Sequence, residues 1–298
     1  MNSASHQRDP EPRSRGADKE AWTLFWADPT QTRCSTGAPE IWQSLTRHWI
    51  SFAASLPRGT RVLDLGCGAG AVGRMLLNAR DDLYVTGVDS AAVPVARHPR
   101  LELLSGTGME SLPFAERSFG AVVSQFAFEY SQTAAAAREV SRVLAPGARL
   151  SFLVHHAESA IVTTNRSRLS AVVAFLGQPM RTAFCNGDAA GFNSQMTLLV
   201  QRYPDDTLIA DLARALPARL GWIQEKRYST WEALEEALAP ERCFTESLDA
   251  CCVAAAHIDE WLAPLRLACE LEPVAVLREP NGDPIAWKAD GVREPTDA

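Results

Sequence analysis

Three glycines alternate in the stretch VLDLGCGAG (62–70), between a strand-like run, RVLDL (61–65), and a helix-like one, AVGRMLLNAR (71–80). In the second run Val72, Met75, Leu76 and Ala79 fall on one helical face. Gly66, Gly68 and Gly70 carry no β-carbon, so the backbone between strand and helix can turn tightly and a ligand can touch it. The free N–H groups at the start of the helix aim at that turn and suit an anionic group. A second strand-like run, LYVTGVD (83–89), ends in Asp89, 23 residues after Gly66. A carboxylate there can accept both hydroxyl hydrogens of a ribose.

The alternation continues. A short helix is expected over residues 90–97, with Pro94 in its first turn. LELLSG (101–106) and GAVVSQFAF (120–128) read as two more strands, AAAAREVSRVL (134–144) as a helix ended by Ala145-Pro146-Gly147, and ARLSFLVHH (148–156) as a fifth strand. After His156 helical patterns take over: DTLIADLARALPARL (206–220), TWEALEEALA (230–239) and SLDACCVAAAHIDEWL (247–262). Strand character returns at EPVAVLRE (272–279), and an Asn281-Gly282-Asp283 turn leads into PIAWKADG (284–291), a hairpin signal. The expected fold is α/β and Rossmann-like: a seven-stranded sheet of five parallel strands plus a C-terminal antiparallel hairpin, with a helical cap inserted between strands five and six. The expected divisions are a disordered leader (1–18), N-terminal helices with a nucleotide-type core (19–156), the cap (157–266) and the closing strands (267–298).

Two ligands fit the glycine turn. Gly68, Gly70 and Gly73 also spell G-x-G-x-x-G, which with Asp89 would suit NAD. Against a dinucleotide, the first glycine of that frame falls three residues past the strand, and Asp64 beside the turn would repel a pyrophosphate. A carboxylate at Asp64 would instead help hold the ammonium of an amino acid, so a nucleoside joined to an amino acid fits better.

In four places and in the same order, the chain resembles the class I S-adenosylmethionine-dependent methyltransferases, within the broad group that includes ubiquinone/menaquinone-type enzymes. VLDLGCGAG resembles the first motif, GVDS (87–90) the second, LPF (112–114) the segment after strand three, and EVSRVLAPGARL (139–150) the helix-turn-strand. The resemblance spans about residues 58–156. It implies S-adenosyl-L-methionine as cofactor. Asp64, Gly66, Cys67 and Gly68 would then frame its methionine moiety, Asp89 would bind the ribose, and Ser90 would lie beside the adenine. Met109 and Glu110 would take the adenine edge, and Gln125 would sit under the sulfonium. The chain departs from the family where Gly108 replaces an acid expected to hold the adenine amino group, where Gly120 replaces an Asp, and where Ala148 replaces a second glycine.

Transfer from a sulfonium needs mainly alignment and exclusion of water, with a base only for an acceptor that arrives protonated. Tyr130 and His155, at the ends of strands four and five, are the candidate base or orienting groups; His156 should face the other way. No metal ligand set is spaced for binding. Trp42 and Trp49 suit a core-facing helix, whereas Trp22, Phe25 and Trp26 could line a pocket for a flat acceptor and a cationic donor. Arg166, Arg168, Arg181 and Tyr203 could orient a carboxylate acceptor.

The formal charge of −7 and the lack of a Lys/Arg cluster argue against nucleic acid, leaving a small-molecule methyl acceptor as the expected partner. No apolar run reaches the roughly 18 residues of a membrane span, and a cytoplasmic location is the default. The seven cysteines, Cys34, Cys67, Cys185, Cys243, Cys251, Cys252 and Cys269, are odd in number and irregular in spacing, unlike a disulfide framework. The reading is therefore a methyltransferase acting on a small molecule at oxygen, nitrogen or carbon. The alternatives are a non-catalytic S-adenosylmethionine-binding subunit and an NAD-dependent oxidoreductase.

Overall fold

The computed structural model describes residues 15–27, 39–96, 98–267 and 269–294. Cys34 and the leader as far as residue 14 lie outside them, while residues 15–18, expected in the leader, already belong to the first helix. The chain runs through α1 (Arg15–Ala27), α2 (Pro39–Ser55), β1 (Arg61–Leu65), α3 (Ala71–Ala79), β2 (Tyr84–Asp89), β3 (Leu101–Ser105) and β4 (Phe119–Gln125). A 3-10 turn (Phe128–Tyr130), α4 (Thr133–Val143) and β5 (Leu144–His155) follow. Next come α5 (Ala160–Phe175), α6 (Gln178–Asn186), α7 (Ala189–Arg202), α8 (Thr207–Ala215), α9 (Gln224–Cys251) and α10 (Ile258–Arg266). The last strands are β6 (Glu270–Leu271), β7 (Ala275–Arg278) and β8 (Pro284–Val292).

The sheet order is β3-β2-β1-β4-β5-β8-β6, with β7 also paired to β8. The first five strands are parallel; β8 runs antiparallel to β5, β6 and β7. β1 is buried from Val62 to Leu65 and β4 along nearly its whole length, as apolar strands covered on both faces must be. One face packs on α2 and α3 through Leu45, Trp49, Val72 and Leu76. The other packs on α4 and α10 through Val140, Val143, Leu262 and Leu265. Trp42 and Trp49 are both buried in the first of these layers.

Three expectations change. Residues 90–96 form no helix. The Ser105 hydroxyl takes the N–H of Val93 at 3.0 Å and donates to its carbonyl at 3.3 Å, while Gly106 N–H reaches Ala91 O at 3.2 Å. Backbone groups that a helix would have paired are tied to the end of β3 instead, around a proline and two β-branched valines. The sheet has eight strands rather than seven, because the two-residue β6 also pairs with β8. In the insertion, the runs read at 230–239 and 247–262 share one 28-residue helix, α9, which continues through Pro240, and then divide before α10. A third core belongs to the insertion alone, built around Phe175, Phe184, Phe192 and a fully buried Trp231.

Candidate active site

β1, β2 and β4 end side by side, where the strand order reverses, and the chain turns away from each end to leave a cleft. The cleft holds about 250 Å³ and is walled by Gly66 after β1, Asp89 and Ser90 at the end of β2, and residues 107–110 after β3. Gln125, Phe126, Ala127, Tyr130 and Ser131 close the β4 side. Lys19, Trp22 and Trp26 of α1 form the roof.

Two glycines of the turn are required by close approach. Both take positive φ, +65° at Gly66 and +49° at Gly68. A β-carbon at Gly66 would collide with Ala127, and one at Gly68 with the ring of Trp26. Asp89 organises this turn from the neighbouring strand: its Oδ2 accepts from Gly68 N–H and its Oδ1 from Ala91 N–H, both at 2.9 Å. Burial raises its pKa above the usual carboxylate range, against the pull of those two N–H groups.

Asp64 lies beneath the turn rather than on the cleft wall. It is 1% exposed, and burial, with repulsion from Asp89, pushes its carboxyl up to about 8. Its Oδ2 has no hydrogen-bond partner among the described residues. A buried carboxyl oxygen without a donor is costly, and a cationic amine entering the turn would supply one. Cys67 and Gly68 likewise stay off the lining: the thiol is buried against Gly87, and burial holds its pKa well above the usual value.

The wall after β3 is fixed from outside. Arg142 donates to the carbonyls of Leu112 at 2.9 Å and Phe114 at 2.6 Å, while Glu139 accepts from Leu112 N–H at 2.7 Å and pairs with Arg142. The LPF and EVSRVL segments thus form one clamp. Glu110 Oε1 accepts from Gln132 N–H at 2.9 Å, and its Oε2 lies 3.1 Å from where a β-carbon on Gly108 would stand. A carboxylate oxygen of Glu110 thus lies beside Gly108.

On the β4 side, Gln125 Oε1 accepts from Trp49 Nε1 at 2.7 Å. Phe126 holds a positive φ of 58°, a strained conformation for a large side chain. Tyr130 lines the cleft as expected, its ring edge-on to Trp22 at 5.8 Å. His155 does not line it. The ring is 3% exposed, stacked behind Phe126 at 4.2 Å, with Nδ1 2.7 Å from Glu129 Oε1; that same oxygen accepts the His155 backbone N–H. Glu129, which sequence reasoning passed over, is buried, and only its place between Phe128 and Tyr130 hinted at it. His156 faces away, stacked on Trp287 at 4.3 Å. The arginines offered for an acceptor are committed within the insertion: Arg166 to Asp249, Arg168 to Asp206 and Glu241, and Arg181 to Glu235. Tyr203 packs on the insertion's own core.

The family described as "Methyltransferase domain" matches residues 63–152, the segment that contributes the cleft from Gly66 to Ser131. The match marks this segment as similar to the class I S-adenosylmethionine-dependent methyltransferases. The match implies S-adenosylmethionine as the cofactor of this segment. The chain is 32% identical over 127 residues to a demethylmenaquinone methyltransferase of Corynebacterium kroppenstedtii, covering 41% of this chain and 52% of that protein. It is 30% identical over 135 residues to a 2-phytyl-1,4-naphtoquinone methyltransferase of Thermosynechococcus vestitus, covering 42% and 58%. An O-methyltransferase of Aspergillus nomiae is 31% identical over 137 residues, again covering 42% and 58%. The chain spans little more than half the length of these relatives.

The methyltransferase domain and the cleft fit together. The partnerless oxygen of Asp64 suits an amino-acid ammonium, and the turn at Gly66 and Gly68 allows close approach. Asp89 offers a carboxylate at the next strand's end.

Proposed function

We propose that this protein transfers the methyl group of S-adenosylmethionine to a flat, largely apolar small molecule. The observation that carries the reading is the cleft itself: one continuous space that joins the glycine turn, Asp89 and Glu110 to the aromatic walls Trp22 and Tyr130. Asp64 and the turn hold the amino-acid end of the donor, Asp89 the ribose and Ser90 the flank of the adenine. Met109 and Glu110 hold the adenine edge, with Glu110 acting in place of the missing acid at Gly108. Gln125, held by the Trp49 indole N–H, borders the sulfonium end.

The cofactor supplies an activated methyl group. The chain's part is to align the acceptor and exclude water. Trp22 and Trp26, stacked with centroids 6.1 Å apart, close the cleft from above. Tyr130 is the group placed to orient or deprotonate an acceptor hydroxyl. His155 and Glu129 act behind it, by holding the Phe126 wall. Quinone-type acceptors of the relatives' kind have the shape these walls favour.

The test is incubation with donor carrying a ¹³C-methyl group and a panel of hydroquinones, naphthoquinols and phenols. A labelled product with equimolar S-adenosylhomocysteine is expected. Donor binding with no turnover on any of them would move the protein to the class of non-catalytic binding subunits.

A further inference from the structure

A second concave site lies apart from the cleft, between α2 and the β7–β8 hairpin. This groove holds about 440 Å³ and is lined by Ser44, Arg47, His48 and Ser51 of α2, by β7 from Ala275 to Arg278, and by Lys288 of β8. It shares no residue with the methyltransferase cleft. The chain as a whole is acidic, with 36 Asp and Glu against 29 Lys and Arg. Yet, among the described residues, the groove's lining has three cationic side chains and no carboxylate. The charge is concentrated against the composition.

Of the three cations, Lys288 alone has a carboxylate partner among the described residues. Lys288 Nζ is 2.9 Å from Asp290. Arg47 donates to the Ser44 hydroxyl at 3.1 Å and Arg278 to the Gly282 carbonyl at 2.8 Å. Neither guanidinium has a carboxylate within ion-pair distance among the described residues. Setting Asp290 against Lys288 leaves two guanidinium groups without a carboxylate ion pair, each shaped for bidentate contact with an oxyanion.

The floor is built rather than incidental. Ser151, fully buried on β5, donates to Asp290 Oδ1 at 2.6 Å and lies 2.9 Å from His48 Nε2. The serine has a single hydrogen, and the carboxylate takes it, so His48 Nε2 donates and Nδ1 keeps its lone pair. Burial pushes the His48 imidazole down to about 4, against the opposing pull of Asp290, so the ring is neutral at pH 7. This chain of bonds fixes Lys288 and α2 relative to the hairpin. The next residue of α2, Trp49, reaches Gln125 in the cleft, so the same helix borders both sites.

We propose that the groove between α2 and the β7–β8 hairpin is a binding site for a small oxyanion carrying at least two negative charges, held by Arg47 and Arg278 with Lys288 beside them. The inference does not depend on the activity assigned to the cleft. Phosphoryl compounds and polycarboxylates share the required chemistry, and the test separates them.

The full chain is titrated calorimetrically with inorganic pyrophosphate in one arm and citrate in another, at constant ionic strength. Binding with a dissociation constant on the order of 1 mM or tighter is expected in at least one arm, weakened roughly tenfold or more in Arg47→Gln/Arg278→Gln. A control with two other exposed arginines replaced, Arg58→Gln/Arg117→Gln, should bind as the wild type does. Pyrophosphate alone binding assigns a phosphoryl ligand, and citrate alone a polycarboxylate. No binding in either arm overturns the proposal, as does equal loss in the control, which would mean diffuse charge. Circular dichroism of each variant confirms that a loss of binding is not a loss of fold.

Discussion

Asp64 concentrates the chemistry of the glycine turn in one side chain. Its carboxyl ordinarily titrates near 4, but burial and Asp89 hold it at about 8 in the folded chain. Between those values the folded state keeps a proton that the unfolded state has lost. The contribution is therefore fully present below about pH 4 and falls away as pH rises towards 8. Ligand-free wild-type protein should lose stability, on the order of a few kcal/mol at most, from pH 5 to pH 9. Asp64→Asn should flatten that slope in denaturant titrations at the two pH values. An unchanged slope would mean Asp64 is already ionised. Gly66→Ala makes a second prediction at this scale. The added methyl would collide with Ala127, and its left-handed backbone adds strain. Affinity for S-adenosylhomocysteine should fall at least about tenfold, by calorimetry.

At the scale of elements, α1 meets α9 through aromatic contacts. Trp22 lies edge-on to Phe244 at 4.9 Å, and Phe25 stacks on the same ring at 5.7 Å. The roof of the cleft is thus held by the insertion. Phe244→Ala should speed amide exchange across residues 15–27 roughly three- to tenfold, with β1 and β4 unaffected. Exchange unchanged in α1 would mean the roof is held by its other contacts, those of Trp22 with Tyr130, Trp26 with Ala69 and Ala91, and Thr23 with Ala92. The insertion's own core carries a separate prediction. Trp231, fully buried against Phe175 and Phe184, should cost roughly 3–5 kcal/mol on replacement by alanine. The measurement is chemical unfolding; a loss below about 1 kcal/mol would show that this core contributes little.

Over the whole molecule, what could be read in the sequence was what local periodicity and chain order decide. The β1–α3 turn announced itself because a short apolar strand, three alternating glycines and an amphipathic helix are contiguous. Asp89 followed from its place at a strand end, whereas Ser90, Met109, Glu110 and Gln125 were implied by the family resemblance; parallel strands bring all five to one rim. The Asn281-Gly282 turn marked the hairpin that closes the sheet. What escaped depended on partners far apart in sequence. Ser105 draws Val93 out of helical bonding, a contact that no window around residues 90–97 contains. Phe126 stands in front of His155, so a histidine correctly placed at a strand end is nonetheless walled off from the cleft. Glu110 comes to lie beside Gly108 through the turn of the loop, which the sequence alone did not show. The basic groove unites residues from α2 and the final hairpin, some 230 residues apart in the chain.

Calorimetry with S-adenosylhomocysteine, on the wild type and on Asp89→Ala, bears most directly on the cleft being a donor site. Wild-type binding in the micromolar range is expected, with none for NAD. Loss of the ribose hydrogen bonds should cost Asp89→Ala about 1–3 kcal/mol, or roughly five- to 150-fold in affinity. Equal affinity of the two proteins, or a wild type that binds the dinucleotide instead, would contradict the account.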